Sequence, residues 1–325
     1  MSAAGFHHVY GPVPSRRLGR SLGIDLIPFK TCSYDCIYCQ LGRTTVKTIE
    51  RAEYVPVSDV LQELRRKLEE EPRPDFIGLA GSGEPVLHSR IGDIISGIKA
   101  LTDVPVAVLT NGSLLWLPEV RAGLAQADLV MPSLDAGTAA NFERVNRPHA
   151  SISFEQMACG LVTFSHEFTG TIWLELLLLA NITDCREEVA RLAALVSQMR
   201  IDRAQLNTAV RPAAEAYALT VAPNRLRQLC ALFDCPCEVI ADSDCRPPAP
   251  SAASAAVADR ILELLARRPC TVQGIATGLG MRPNDVLKYL DALSANGAIT
   301  SERRGTAVFY EGTRNQIPMK RSDRQ

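Results

Sequence analysis

The 325-residue chain is 46% hydrophobic and 22% charged, which reads as an ordinary globular protein with length for a sizeable core and about two domains. No apolar run approaches the ~18 residues needed to span a bilayer. The N-terminal stretch also lacks the basic, apolar, small-residue order of a signal peptide, so neither a membrane nor a secreted protein is expected, and a cytoplasmic location is. The net charge of −1 hides an asymmetry: residues 252–325 carry 11 Lys or Arg against 7 Asp or Glu, leaving 24 against 29 for residues 1–251. Ten cysteines in a reducing compartment argue for metal chemistry or free thiols rather than a disulfide framework. An exposed cluster would also favour a low-oxygen cell.

The first strand-like run, residues 21–27, leads into Cys32-Ser33-Tyr34-Asp35-Cys36-Ile37-Tyr38-Cys39. Three thiolates spaced C-x3-C-x2-C can wrap one iron–sulfur cluster, and three ligands on a four-iron cube leave one iron open to an outside ligand. Zinc is the competing reading, but it usually takes paired C-x2-C knuckles and a fourth ligand nearby, and no Cys or His follows until His88. Cys32, Cys36 and Cys39 are therefore the expected metal ligands.

Strand and helix signals then alternate. Residues 57–70 place Val60, Leu61, Leu64 and Leu68 on one helical face, with Ser58 or Asp59 able to cap the start. Strands are expected at 75–80, 104–110, 128–134, 171–178 and 204–209, with helices at 90–101, 117–126, 139–145, 154–166 and 186–199 between them. A last helix, 223–233, and strand, 237–241, complete the pattern. Counting residues 22–27 first, this gives six main strands and one extra, an α/β class with a parallel sheet covered by helices. Such folds carry their sites at the carboxyl ends of the strands.

The polar motifs fall there. Gly81-Ser82-Gly83-Glu84-Pro85 follows the second strand, where glycine lets backbone approach a ligand and Glu84 can accept from an ammonium; a plain Gly-rich turn is the alternative. Thr110-Asn111-Gly112 follows the third, and Ser133-Leu134-Asp135 the fourth, a hydroxyl and a carboxylate suited to ribose hydroxyls. Glu175 sits in an apolar strand, where a charge needs a partner. It reads as a cofactor contact or as a polar residue facing the interior, and Asn181 and Asn207 are further candidates. Arg16, Arg17, Arg20 and Arg147 are expected at the mouth, for an anionic substrate or for salt bridges. Cys230, Cys235, Cys237 and Cys245 offer four thiolates, enough for an auxiliary cluster or zinc, although Cys230 and Cys237 also suit packing. Cys159, Cys185 and Cys270 read as isolated packing residues.

The boundaries implied are a first domain at 1–246, a Pro/Ala/Ser linker at 247–256, a small domain at 257–313 and a disordered tail at 314–325. In the small domain an amphipathic helix, 257–267, precedes a Thr271-capped helix and a third helix opened by Pro283 and stopped by Asn296-Gly297. Strands 298–301 and 307–310 flank a basic turn containing Arg303 and Arg304. Three helices and a basic hairpin look like a winged helix-turn-helix. Arg282, Asn284 and Lys288 would begin its recognition helix; nucleic-acid binding and protein docking both remain open.

The cluster loop, with Tyr38 just before its last cysteine, resembles that of the radical S-adenosylmethionine (SAM) superfamily. The resemblance implies an open (βα)6 partial barrel, a 4Fe-4S cluster whose open iron binds SAM, and reductive cleavage of SAM to methionine and a 5′-deoxyadenosyl radical. It assigns Gly81, Ser82, Gly83, Glu84, Thr110, Asn111, Ser133 and Asp135 to SAM, and a flavodoxin- or ferredoxin-like protein as one-electron donor. Gly11 to Asp25, Leu134 to Thr138 with Asn146 to His149, and Leu206 to Pro212 narrow the likeness to a family of predicted iron–sulfur oxidoreductases related to the wyosine-forming tRNA enzymes. Two departures stand against the wyosine reaction itself. No cysteine precedes Cys32 to hold those relatives' second cluster, and neither Lys30 nor Lys47 is marked out for their lysine chemistry. The expected function is hydrogen abstraction from an unidentified substrate, possibly RNA; the alternatives are a peptide or small metabolite as substrate, or a cluster- and SAM-responsive transcriptional regulator.

Overall fold

The fold opens on a strand that sequence patterning does not expect. In the computed structural model, β1 (Val9–Ser15) pairs antiparallel with β2 (Gly19–Ile24). Its sequence, VYGPVPS, holds two prolines and a glycine, which a central strand could not accommodate; β1 lies at the sheet edge, where missing donors cost little. The structure describes residues 8–15, 17–70, 73–210, 213–240, 252–267, 269–279, 281–304 and 307–313. The chain divides into two units, Met1–Arg246 and Pro247–Gln325.

In the first unit a short parallel pair, β3 (Thr31–Cys32) and β4 (Val46–Lys47), closes the loop after β2. Helix α1 (Val57–Glu70), β5 (Phe76–Leu79), α2 (Ile91–Leu101), β6 (Val106–Thr110), α3 (Pro118–Leu124) and β7 (Leu129–Pro132) follow. Then come α4 (Ala139–Val145), α5 (Phe154–Glu167), β8 (Thr171–Leu178), α6 (Arg186–Val196), β9 (Arg203–Thr208), α7 (Pro223–Cys230) and β10 (Cys237–Val239). The sheet order is β1-β2-β5-β6-β7-β8-β9-β10, parallel from β2 onward. The six main strands are thus β2 and β5 to β9, with β10 as the extra one.

Alternation along β8 shows how the layers form. Ile172, Leu174, Leu176 and Leu178 are at most 1% exposed and join Val60, Leu64, Ile94, Phe164 and Leu192 from the helices in one core. Each such burial contributes about 1.5–3 kcal/mol. Thr171, Trp173, Glu175 and Leu177 face the other side. There Trp173 packs with Phe76, Ala107, Leu109, Leu129 and Met131 around Leu18, from the β1–β2 turn. Arg17 of the same turn lies 2.9 Å from Glu175. Four strand spacings separate β2 from β8, roughly 19 Å if the sheet were flat. An arginine cannot bridge that, so the sheet curls, while β1 and β10 at its two ends leave it an open partial barrel.

The second unit holds α8 (Ala252–Arg267), α9 (Val272–Leu279), α10 (Pro283–Ala295) and the hairpin β11 (Ile299–Arg304) with β12 (Ala307–Gly312). Ile261, Ile275, Val286, Leu290 and Tyr310 form its core, and Cys270 packs there as expected, bridging to Tyr310. Helix α8 begins within the stretch read as linker because alanine favours helix; residues 247–251, the turn at 305–306 and the tail at 314–325 lie outside the described residues. Asn284, expected on the reading face, is 7% exposed and belongs to the interior.

The cysteine expectation needs correction too. Cys230, ending α7, and Cys237, opening β10, meet in a disulfide with a Cα–Cα distance of 5.8 Å, because helix end and strand start are neighbours. Two of the four proposed auxiliary ligands are therefore committed to each other, Cys235 is free, and Cys245 lies outside the described residues.

Candidate functional site

The loop between β2 and α1 carries Cys32, Cys36 and Cys39 as free thiols at the carboxyl end of the sheet. Neighbouring segments pin its backbone. Asp35 N–H donates to the Asn146 carbonyl at 3.0 Å, Ile37 N–H to Val145 at 2.9 Å, and Glu215 N–H to the Ile37 carbonyl at 2.9 Å. Ile37 is fully buried, and Tyr34 stands edge-on to Phe142 with ring centroids 5.4 Å apart. Arg147, at φ 46°, clamps the same loop through Glu215 at 2.8 Å and Asp35 at 3.7 Å.

The thiols are close enough to act on one another. Burial, then the Glu84 charge, pushes Cys32 up to about 12, with Cys39 contributing. Burial raises Cys36 well above the usual thiol range, with Asp135, Cys32 and Cys39 adding to it. Without a cation the two are neutral thiols; bound metal would hold them as thiolates. Among the described residues no three Cys, His, Asp or Glu side chains converge tightly enough for a single ion. Three near but separated sulfurs, each accepting an N–H from another residue, fit a multi-iron cluster and not a zinc site.

The glycine motif after β5 runs against this loop. A Cβ at Gly83 would lie 1.8 Å from the Thr31 carbonyl oxygen, and one at Gly81 would meet the Asp25 carboxylate at 2.5 Å. Lys30 N–H donates to the Ser82 carbonyl at 2.8 Å, while Ser82 N–H and Oγ both donate to Asp25. Glu84 is 2% exposed and accepts from Thr110 Oγ1 at 2.6 Å, Asn111 N–H at 2.7 Å and Val86 N–H at 3.2 Å. Burial pushes its carboxyl up to about 7.

Other expected SAM residues are likewise tied to the cluster loop. Asn111 Nδ2 donates to Ser33 Oγ at 2.9 Å, and its Oδ1 accepts from Ser113 N–H. Asp135, 3% exposed, accepts from Tyr38 Oη, from Asn146 Nδ2 at 2.7 Å and from Leu177 N–H at 3.1 Å. Burial lifts its carboxyl to about 6. Ser133, bridged to Glu175 through the backbone, sits beside it. Glu175 itself pairs with Arg17 and accepts from Asn207 Nδ2 at 2.8 Å inside the barrel. Asn181 is exposed, and its backbone N–H donates to the Asp184 carboxylate.

Arg17, Arg20 and Arg147 do not converge. Arg17 belongs to the β1–β2 turn and Arg20 to the start of β2, at the opposite end of that strand from the cysteines, because β1 runs antiparallel and its turn faces the strand start; Arg147 is on the cysteine side, and Arg16 lies outside the described residues. The lysines also separate. Lys47 is exposed and donates to the Arg147 and Pro148 carbonyls, whereas Lys30 is 3% exposed and reaches the Gly42 carbonyl and the Cys39 sulfur. Asp25, Lys30 and Asn146 are the parts of this constellation that sequence reasoning did not assign, and no spacing within the chain marks them.

A family model described as the radical SAM superfamily matches residues 26–193. A Helicobacter pylori protein of the UPF0026 group is 32% identical over 306 residues, covering 93% of this chain and 96% of its own length. A Brachyspira hyodysenteriae protein named GTPase Obg is 38% identical over 303 residues, but the chain spans 45% of that protein, less than half of it. In fold, the chain is similar to a radical SAM methyltransferase from Sphaerobacter thermophilus, with a TM-score of 0.51 at 15% identity, covering 67% of this chain and 65% of the other.

Proposed function

Because the chain belongs to the radical SAM superfamily, we propose that Cys32, Cys36 and Cys39 hold its 4Fe-4S cluster and that SAM lies over the ends of β5, β6 and β7. The protein is an enzyme, and the cluster and SAM are its cofactors. Once bound and reduced, that pair supplies a 5′-deoxyadenosyl radical able to abstract hydrogen. Convergence of the three half-buried thiols beside the Gly81–Glu84 segment carries the reading.

The chain's own residues do the rest. An ionised carboxylate offers about four acceptor sites, and three donors inside the protein leave Glu84 one for the SAM ammonium. Glycines 81 and 83 let the segment bearing Glu84 lie against the cluster loop. Asp135 orients Tyr38 and Asn146 over that loop, and Ser133 beside it is suited to a ribose hydroxyl. The electron comes from a flavodoxin- or ferredoxin-like donor. RNA is the substrate we favour, supported by the three-helix-and-hairpin second unit and the excess of Lys and Arg after residue 251.

Anaerobic reconstitution with iron and sulfide, followed by dithionite and SAM, tests the reading. Wild type should hold about four irons per chain and form 5′-deoxyadenosine, and Cys36→Ala should lose both. A cluster that cleaves no SAM with any reductant or substrate would replace the enzyme reading with a sensor.

A further inference from the structure

Every one of the three cysteine sulfurs receives an N–H from a different part of the chain. Asn111 Nδ2, at the end of β6, lies 3.6 Å from Cys32 Sγ. Asn146 Nδ2, at the end of α4, lies 3.6 Å from Cys36 Sγ, and Lys30 Nζ lies 3.9 Å from Cys39 Sγ. None of the three donors is loosely held. Asn111 is fixed by Ser33 and Ser113, and Asn146, 2% exposed, by Asp135.

Lys30 is the most constrained. Its backbone sits at φ 67°, in the left-handed region where a residue other than glycine is uncommon. Its N–H is tied to Ser82 at 2.8 Å, and its carbonyl accepts from Thr45 and Val46, each at 3.1 Å. A buried ammonium is costly without a counter-charge. The partners of this one among the described residues are a neutral carbonyl, that of Gly42, and the Cys39 sulfur. A cluster bound through anionic thiolates supplies the missing charge.

We propose that Lys30, Asn111 and Asn146 form a donor shell, with a side-chain N–H at every cysteine sulfur, which raises the reduction potential of the cluster, with the Lys30 ammonium as the principal contributor. The assignment rests on the reading of the three cysteines as cluster ligands. One-electron reduction adds a negative charge to the cluster and its thiolates. N–H dipoles and a buried cation aimed at the sulfurs stabilise the more negative state more, and the low local dielectric strengthens them. These are positioning residues, acting on the cluster through its ligands.

The test is a mediated redox titration of the reconstituted full-length protein without SAM, read by electron paramagnetic resonance of the reduced cluster, with iron and sulfide assayed on the same samples. Lys30→Met should keep the iron of wild type and titrate at a more negative potential. Asn146→Leu should shift in the same direction by less. Lys47→Met removes an equal charge from an exposed lysine bound to two carbonyls, and should titrate with wild type. The proposal is overturned if Lys30→Met and Asn146→Leu both titrate with wild type, or if Lys47→Met shifts as far as Lys30→Met. Should Lys30→Met fail to retain iron, the Asn146→Leu potential decides alone. Wild-type protein that takes up no iron would overturn the ligand reading instead, so the two failures are distinct.

Discussion

Glu84 is a carboxyl whose ordinary range lies near 4.5 and which burial lifts to about 7. The folded protein therefore holds that proton more tightly than the unfolded chain. Stability from Glu84 is fully present below the unfolded value and is lost as pH rises through about 7. In cluster-free protein, the step from pH 5 to pH 8 should lower wild-type unfolding free energy by on the order of 3 kcal/mol more than it lowers that of Glu84→Gln. Denaturant midpoints at the two pH values give the comparison, and equal falls would rule the assignment out. The motif carrying Glu84 was legible in the sequence because a Gly-rich turn after a strand is a local pattern. The partners of the cysteines were not. Asn146 and Cys36 are 110 residues apart and meet because α4 ends over the cluster loop, and nothing near Lys30 in the chain records that its side chain turns back under Cys39.

At the scale of elements, patterning worked where burial alternates or a helix face is apolar. Strand β8 reads directly from its run of leucines, and its one charge finds the partners that a buried charge needs. Patterning failed at β1, whose prolines imitate a turn, and at the disulfide, because the meeting of the end of α7 with the start of β10 is a property of the assembled fold. The packing of β5 against the cluster loop yields a sharper expectation. Gly83→Ala would drive a methyl into the Thr31 carbonyl, so the loop must move and the protein should retain little iron after reconstitution. Gly78→Ala, within β5 itself, meets its nearest neighbour at 3.8 Å and should bind iron as wild type does. Similar iron in both variants would show that the close approach does not position the cysteines.

In the whole molecule the two units have separate cores, one built around the curled sheet and one around Ile275, Val286 and Leu290. A chain ending at Arg246 should therefore fold, take up iron and cleave SAM, and on the proposed RNA substrate the full chain should retain RNA at low salt where the shortened chain does not. Filter binding across a salt series checks this, since phosphate contacts weaken steeply with ionic strength. Retention undiminished in the shortened chain would move the RNA contacts into the first unit. A last consequence belongs to Leu18, which the β1–β2 turn folds inward among Phe76, Ala107, Leu129 and Trp173. It packs the barrel interior at the end away from the cysteines, which leaves the cluster-loop end as the side on which ligands should come and go. With SAM placed over the strand ends as proposed, traffic should be first in, last out: SAM should enter before a substrate that covers it, and its spent fragments should wait for the product to leave.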